Sequence, residues 1–218
     1  MFIINCKNYE EIAGDKIVKL AKIIEIVSKR YKIKIALAPP HHLLTKITNV
    51  SIPILAQHVD NAHVGSTTGF IIPELLKTSK IAGSIINHSE HRIPSKDIKQ
   101  LVSRLHRLRM LSIVCVRNIV EAQKYAKLNP SYIAIEPPEL IGSGRAVSKE
   151  KPELITKATR AIKSTNNSTK LLCGAGIISG EDVEKAIQLG AKGILVASGI
   201  IKSKNWEKII VEFSKAMI

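Results

Sequence analysis

A single (β/α)8 barrel of the α/β class is the fold this sequence predicts, and three observations carry the prediction. Eight short apolar runs, rich in isoleucine and valine, recur along the 218 residues. They do not strictly alternate with polar residues, which suits strands buried on both faces of a parallel sheet. Segments of helical period separate most of them, and no Gly/Ser-rich linker interrupts the series, so one domain over residues 1–218 is expected. An open doubly wound sheet is the structural alternative. No GxGxxG follows the first run, which weakens a dinucleotide-binding reading.

The first run is Phe2–Cys6. From Asp15 to Lys34, Ile17, Leu20, Ala21, Ile24 and Val27 share one helical face, which Lys16, Lys19 and Lys22 mostly avoid. The second run is Ile33–Ala38, and Pro39–Thr48 after it has room for only a short helix. The third, Ile52–Gln57, leads into His58 to Phe70, a polar, glycine-bearing stretch without helical period. A connection of that length in a compact domain points to function or an interface. The fourth run is Ser84–Asn87, and Ser95 then precedes the stripe Ile98, Leu101, Val102, Leu105. Leu111–Val116 and Tyr132–Ile135 are the fifth and sixth. Leu154, Ile155, Ala158 and Ile162 form the next stripe, before the seventh run, Lys170–Cys173. Ser179 and Asp182 make a capping-box-like start for Val183, Ala186 and Ile187, and Gly190 marks the stop. Ile194–Ala197 is the eighth run. Ser203 is expected to open a last helix with Trp206, Ile209, Ile210, Phe213 and Met217 on one face.

The formal charge of +15 raises nucleic acid as a partner, but aromatics are only 4% and stacking platforms are therefore scarce. The basic residues are spread along the chain, as a solvated lysine face and a general field attracting small anions would have them. No nucleic-acid partner is expected. No apolar run reaches the roughly 18 residues of a membrane span, so no membrane partner is expected either. The N-terminus lacks signal-peptide features, and a cytoplasmic location follows as an expectation. Cys6, Cys115 and Cys173 form no CxxC, and each lies in an apolar run as a small core residue of a reducing compartment.

In such a barrel, functional groups gather at the carboxyl ends of strands. The first run ends Asn5-Cys6-Lys7, and the fourth Asn87-His88-Ser89-Glu90. The sixth ends with Glu136. The seventh and eighth end in Cys173-Gly174-Ala175-Gly176 and Val196-Ala197-Ser198-Gly199. Taken singly, each has a bland reading: a solvated lysine, a structural histidine, a tight turn. Together they place a cation, an imidazole, a carboxylate and two small-residue turns on one rim. That set suits proton transfer beside a carbonyl, with a carboxylate base, a neutral donor to the carbonyl oxygen and a cation to offset enediolate charge. The small-residue turns offer backbone N–H groups to a phosphate.

Asn5-Cys6-Lys7, Asn87 to Arg92, Glu136 to Gly144, Leu171 to Ile177 and Gly193 to Gly199 come in an order that resembles the triosephosphate isomerase family, in its short archaeal form, over essentially the whole chain. The resemblance implies a TIM barrel that interconverts D-glyceraldehyde 3-phosphate and dihydroxyacetone phosphate in glycolysis and gluconeogenesis, with no cofactor and no metal. It makes Glu136 the base, His88 the neutral electrophile, Lys7 the enediolate-stabilising cation and Glu90 the group that holds Lys7. Asn5 positions the substrate. Ile141 and Gly142 belong to a lid over it, and Gly142, Gly176, Ala197 and Ser198 present N–H groups to the phosphate. Ser89-Glu90-His91 is expected to start a helix whose dipoles disfavour an imidazolium at His88. The loop 58–70 resembles the family's interface loop, with Thr68 docking on a neighbouring subunit of a homodimer or homotetramer.

The sequence also departs from the family pattern. His91 stands where an arginine is common, Glu139 replaces the lid's tryptophan, and Cys173 and Gly176 replace the tyrosine and serine of the seventh strand's turn. Side-chain latching of the lid through those residues is thereby lost. Among seven histidines, His41 and His42 are adjacent and do not converge, and the His88/His91 spacing lacks an evident third ligand. Another phosphate-binding barrel enzyme, an epimerase or a lyase, is the nearest enzymatic alternative. A barrel that only binds polyanions is the non-enzymatic one.

Overall fold

A computed structural model describes residues 1–47 and 49–218. Thr48, the end of the expected short connection, lies outside the described residues. Eight parallel strands form the sheet: β1 (Phe2–Asn5), β2 (Ile35–Ala38), β3 (Leu55–Ala56), β4 (Gly83–Ile86), β5 (Leu111–Val116), β6 (Tyr132–Ile135), β7 (Lys170–Cys173) and β8 (Ile194–Val196). Neighbours pair in the order β2-β1-β8-β7-β6-β5-β4-β3. The remaining seam is closed by a single parallel bridge between Leu37 and Ile54, with Leu37 N–H donating to Pro53 O at 3.0 Å. The third strand is thus shorter than its apolar run. Pro53 has no N–H to give a ladder, and the pairing there narrows to this one junction.

Two layers of apolar side chains follow from the strands' alternation. Ile3, Ala36, Ala38, Leu55, Ile85, Ile113, Cys115, Ala134, Leu172 and Leu195 fill the barrel interior. The other faces pack outward against the helices α1 (Lys16–Tyr31), α2 (Pro73–Thr78), α3 (Ser95–Arg107), α4 (Ile119–Ala126), α5 (Val147–Glu150), α6 (Pro152–Thr165), α7 (Gly180–Gln188), α8 (Ser198–Ile201) and α9 (Trp206–Lys215). The α1 stripe of Ile17, Leu20, Ala21, Ile24 and Val27 is fully buried. After β2 the chain makes a 3-10 turn, His41–Ile47. The Ser179/Asp182 capping box is present at α7.

Two expected helix starts are corrected. The last helix is capped by Asn205, whose side chain accepts from Lys208 N–H at 3.0 Å, while Ser203 Oγ accepts from Asn205 N–H. No helix begins at Ser89. Residues 89–94 form turns and extended chain, and α3 starts at Ser95 after Pro94. Pro94 disfavours helical geometry at Ile93, so a helix begun at Ser89 could not run through this point. None of the described helices is long and apolar enough to cross a membrane.

Candidate active site

The carboxyl ends of β1, β4, β6, β7 and β8 converge on one polar cavity. Asn5, Lys7, His88, Glu136, Ile141, Gly142, Gly176, Ala197 and Ser198 all line it. Glu90 lies just outside, in an adjoining cleft that shares Lys7 and His88.

Glu136 follows β6 directly. Its N–H donates to Val116 O at 2.8 Å, so the base of the side chain is part of the sheet. The residue is 3% exposed, and Oε2 is buried without a hydrogen-bond partner. Oε1 lies 3.6 Å from His88 Nε2. Gly174 makes room for it: a Cβ there would sit 2.6 Å from Glu136 Cγ. The Cys115 thiol of β5 is buried beside the carboxylate. Burial first, and the Glu136 charge second, push that thiol well above its ordinary range. Burial likewise pushes Cys173 up to about 12. All three thiols are buried and unpaired, as core cysteines are expected to be.

His88 is turned into the cavity by Asn87, which holds a left-handed backbone (φ 61°). Asparagine tolerates this region better than most residues. Its amide donates to Cys115 O at 3.0 Å and its Oδ1 accepts from Ile93 N–H at 3.2 Å. Glu90 N–H points at His88 Nδ1, at 3.3 Å. That donor makes Nδ1 the acceptor and leaves Nε2 to carry the proton, on the side that faces Glu136. The expected helix dipole is therefore replaced by one backbone N–H in a tight turn.

Lys7 is also left-handed (φ 45°). Its N–H donates to Asn5 Oδ1 at 3.0 Å, and its carbonyl accepts from Gln57 Nε2 at 3.0 Å. Its ammonium donates to Glu90 Oε1 at 2.7 Å, which sets the cation at the cavity's edge. Gly142 and Gly176 both adopt positive φ near 70°. A Cβ on Gly176 would lie 1.9 Å from Arg145 O, so the turn after β7 packs directly beneath the chain that returns from Gly142. Ala197 precedes the short helix α8, whose first N–H groups have no intrahelical acceptor.

Some contributors escaped the sequence reading. Gln57 also donates to Ala38 O at 3.1 Å and clamps the β1 and β2 ends together. Gly174 acts only through its distance to Glu136. Tyr9 joins the cavity wall. Gln57 closes an apolar run with a polar side chain, a signal that strand-end reasoning could have used. Leu140 is buried in the outer core, while its neighbour Ile141 faces the cavity.

The loop 58–70 leaves β3 past a histidine cluster. His91, where an arginine is usual in the family, stacks its ring on His58 at 3.8 Å. Burial lowers the His58 imidazole below its ordinary value, against the neighbouring Asp60 carboxylate. Thr68 is exposed, as are Val64 and Phe70. Among the described residues no group of three or more His, Cys, Asp or Glu side chains could hold a metal ion.

Fold and cavity together define a (β/α)8-barrel protein with its polar site at the carboxyl ends of the strands, where barrel enzymes keep theirs. Comparison with known proteins narrows the class. A family model described as triosephosphate isomerase matches residues 1–213. The triosephosphate isomerase of Cenarchaeum symbiosum (strain A) is 53% identical over 217 residues, covering 100% of this chain and 97% of that protein. That of Methanocaldococcus jannaschii is 46% identical over 216 residues, with 99% of each covered. That of Methanothermus fervidus is 44% identical over 218 residues, covering 100% and 98%. The chain belongs to the triosephosphate isomerase family.

Proposed function

We propose that Glu136, His88 and Lys7 carry out the interconversion of D-glyceraldehyde 3-phosphate and dihydroxyacetone phosphate, the reaction of the family to which the chain belongs. Glu136 takes a proton from one substrate carbon and returns it to the next. His88 Nε2–H donates to the carbonyl oxygen, which becomes the enediolate oxygen. Lys7 offsets the developing charge, Glu90 fixes Lys7, and Asn5 holds both the Lys7 backbone and the substrate. Backbone N–H groups of Gly142, Gly176, Ala197 and Ser198 hold the phosphate. No step in this scheme draws on a cofactor or metal. The observation that carries the reading is the buried Glu136 carboxylate 3.6 Å from His88 Nε2, with its second oxygen unpartnered.

The test is a coupled assay of both triose phosphates with wild type and Glu136→Gln. The substitution keeps shape and removes the base, so kcat should fall by roughly 10²- to 10⁴-fold. Equal rates, or no turnover by pure wild type, overturns the reading. We also propose self-association through the loop 58–70, as a homodimer or homotetramer. Its exposed Thr68 docks in the cleft that borders Lys7 and Glu90 on a second copy. A cytoplasmic location goes with the three reduced, buried thiols.

A further inference from the structure

Residues 137–146 form a strap over the cavity, with Ile141, Gly142 and Gly144 on its inner wall. Its two arms are held differently. The second arm is tied to the barrel: Val147 N–H donates to Ala175 O at 3.2 Å, and Lys149 Nζ pairs with Asp182 Oδ1 at 3.1 Å. The first arm packs Leu140 into the outer core but has no such polar tie. Among the described residues, the hydrogen bonds of 137–144 stay inside the strap, as in Leu140 N–H to Pro137 O and Ser143 N–H to Leu140 O. One leaves it. Glu139 accepts from Lys151 Nζ, across to the residue that follows the second arm.

The pair sits on the outside of the strap. Neither residue lines the substrate cavity; both line a cleft of about 580 Å³ behind it. Arg117 stands in the same cleft, but its guanidinium is occupied by Glu121 at 2.5 and 2.9 Å. Lys151 also has a fixed base: its N–H donates to Val147 O, and Pro152 follows it. A carboxylate on the arm without polar ties to the barrel therefore meets an ammonium on a backbone anchored to the other.

We propose that the Glu139–Lys151 ion pair is the latch that holds the lid over the reacting substrate, in place of the aromatic contacts this sequence lacks. The inference rests on the reading of 137–146 as the lid of an isomerase site. Both are positioning residues, acting through Ile141 and Gly142. Their failure has a chemical signature. When an enediolate phosphate meets water with the lid loose, its oxygen lone pair pushes through the double bond. The C3–O bond breaks, and inorganic phosphate leaves with the electron pair. The remaining hydroxypropenal takes its tautomeric form, 2-oxopropanal.

The experiment compares wild type, Glu139→Gln, Lys151→Met, the double variant and the charge-exchanged Glu139→Lys/Lys151→Glu. It measures isomerase KM and kcat, inorganic phosphate released per isomerisation, and Tm. An exposed pair shifts an equilibrium by roughly two- to five-fold. Each single variant should raise KM and phosphate release by that factor with Tm little changed. The double variant should be no worse than either single, and the charge exchange should return phosphate release toward wild type. Unchanged phosphate release in both singles, or effects that multiply in the double, overturns the latch. Glu136→Gln, run alongside, separates the two readings. If it is inactive while Glu139→Gln matches wild type, only the latch fails. If wild type does not isomerise triose phosphates at all, the site reading fails and the latch with it.

Discussion

Gly174→Ala tests whether the base is aimed by the barrel to sub-ångström tolerance. The added methyl would stand 2.6 Å from Glu136 Cγ and 3.2 Å from Oε1, about 0.8 Å short of ordinary van der Waals contact at its nearest point. Gly174 itself cannot retreat easily, because its N–H donates to Ile135 O at 3.1 Å in the β6–β7 seam. Glu136 is the group that must move, and it too is pinned at its N–H. A displacement approaching 1 Å in a reacting group costs on the order of 10²-fold, or about 2.7 kcal/mol in the barrier. The expected result is a kcat lower by about that factor. Overpacking should cost stability roughly 1–3 kcal/mol, so the assay is run well below the variant's Tm. A folded Gly174→Ala protein with kcat within about threefold of wild type would show that Glu136 is not held this tightly, and the argument would fail.

Asp182→Asn removes a carboxylate that anchors both α7 and, through Lys149, the lid's second arm. Burial pushes Asp182 upward, but N–H groups of Ile178 and Ser179 and the Lys149 ammonium outweigh it and leave the group below its ordinary value. A depressed carboxylate stabilises above its unfolded pKa, so denaturation at pH 7 should show a loss of about 1–2 kcal/mol. That loss should fade as pH falls below about 4 through the folded value; a pH-independent difference would contradict it. Phe70→Lys places a charge on the exposed tip beside Thr68. Sedimentation should show a smaller species, with specific activity that falls on dilution, and an unaltered assembly would remove this loop from the interface.

Much of this architecture was legible because barrel strands carry a local signature. Leu111–Val116, Tyr132–Ile135 and Lys170–Cys173 coincide with β5, β6 and β7 as read from their apolar runs. The α1 and α3 stripes are buried as their periods require. The misreadings arose where two local signals competed. Ser89 resembles a helix cap, but Pro94 governs the next turn. Ser203 and Asn205 can both cap, and the amide, two residues nearer the helix, is the one that reaches the first turn. Rim residues could be collected from strand ends alone, which is why Glu136, His88 and Lys7 were visible. Gly174, Gln57 and the Cys115 contact were not. Each acts through a neighbour distant in sequence, and spacing along the chain carries no trace of that distance.

The same distance explains why the rim can hold strained backbone. Lys7 and Asn87 both occupy the left-handed region, at roughly 1–2 kcal/mol each for a residue with a Cβ. Each is offset where it stands. Lys7 has Asn5 on its N–H and Gln57 on its carbonyl. Asn87 makes two side-chain bonds of its own, and Arg92 Nη1 donates to its carbonyl at 3.0 Å. At about 1 kcal/mol net per hydrogen bond, two or three bonds match one strained residue, so neither turn need relax. The consequence is directional. A left-handed residue reverses the chain just past the strand, and that reversal carries the Lys7 ammonium and the His88 ring inward over the barrel. Glu136 needs no such reversal, since β6 already points it at the cavity. The rim thus divides its work by geometry. The Glu136 carboxylate is aimed by the sheet, the Lys7 cation and the His88 imidazole by turns locked with polar side chains, and the proposed phosphate site is lined by small residues. On the proposed lid, the first arm alone takes its polar tie from an exposed charge pair.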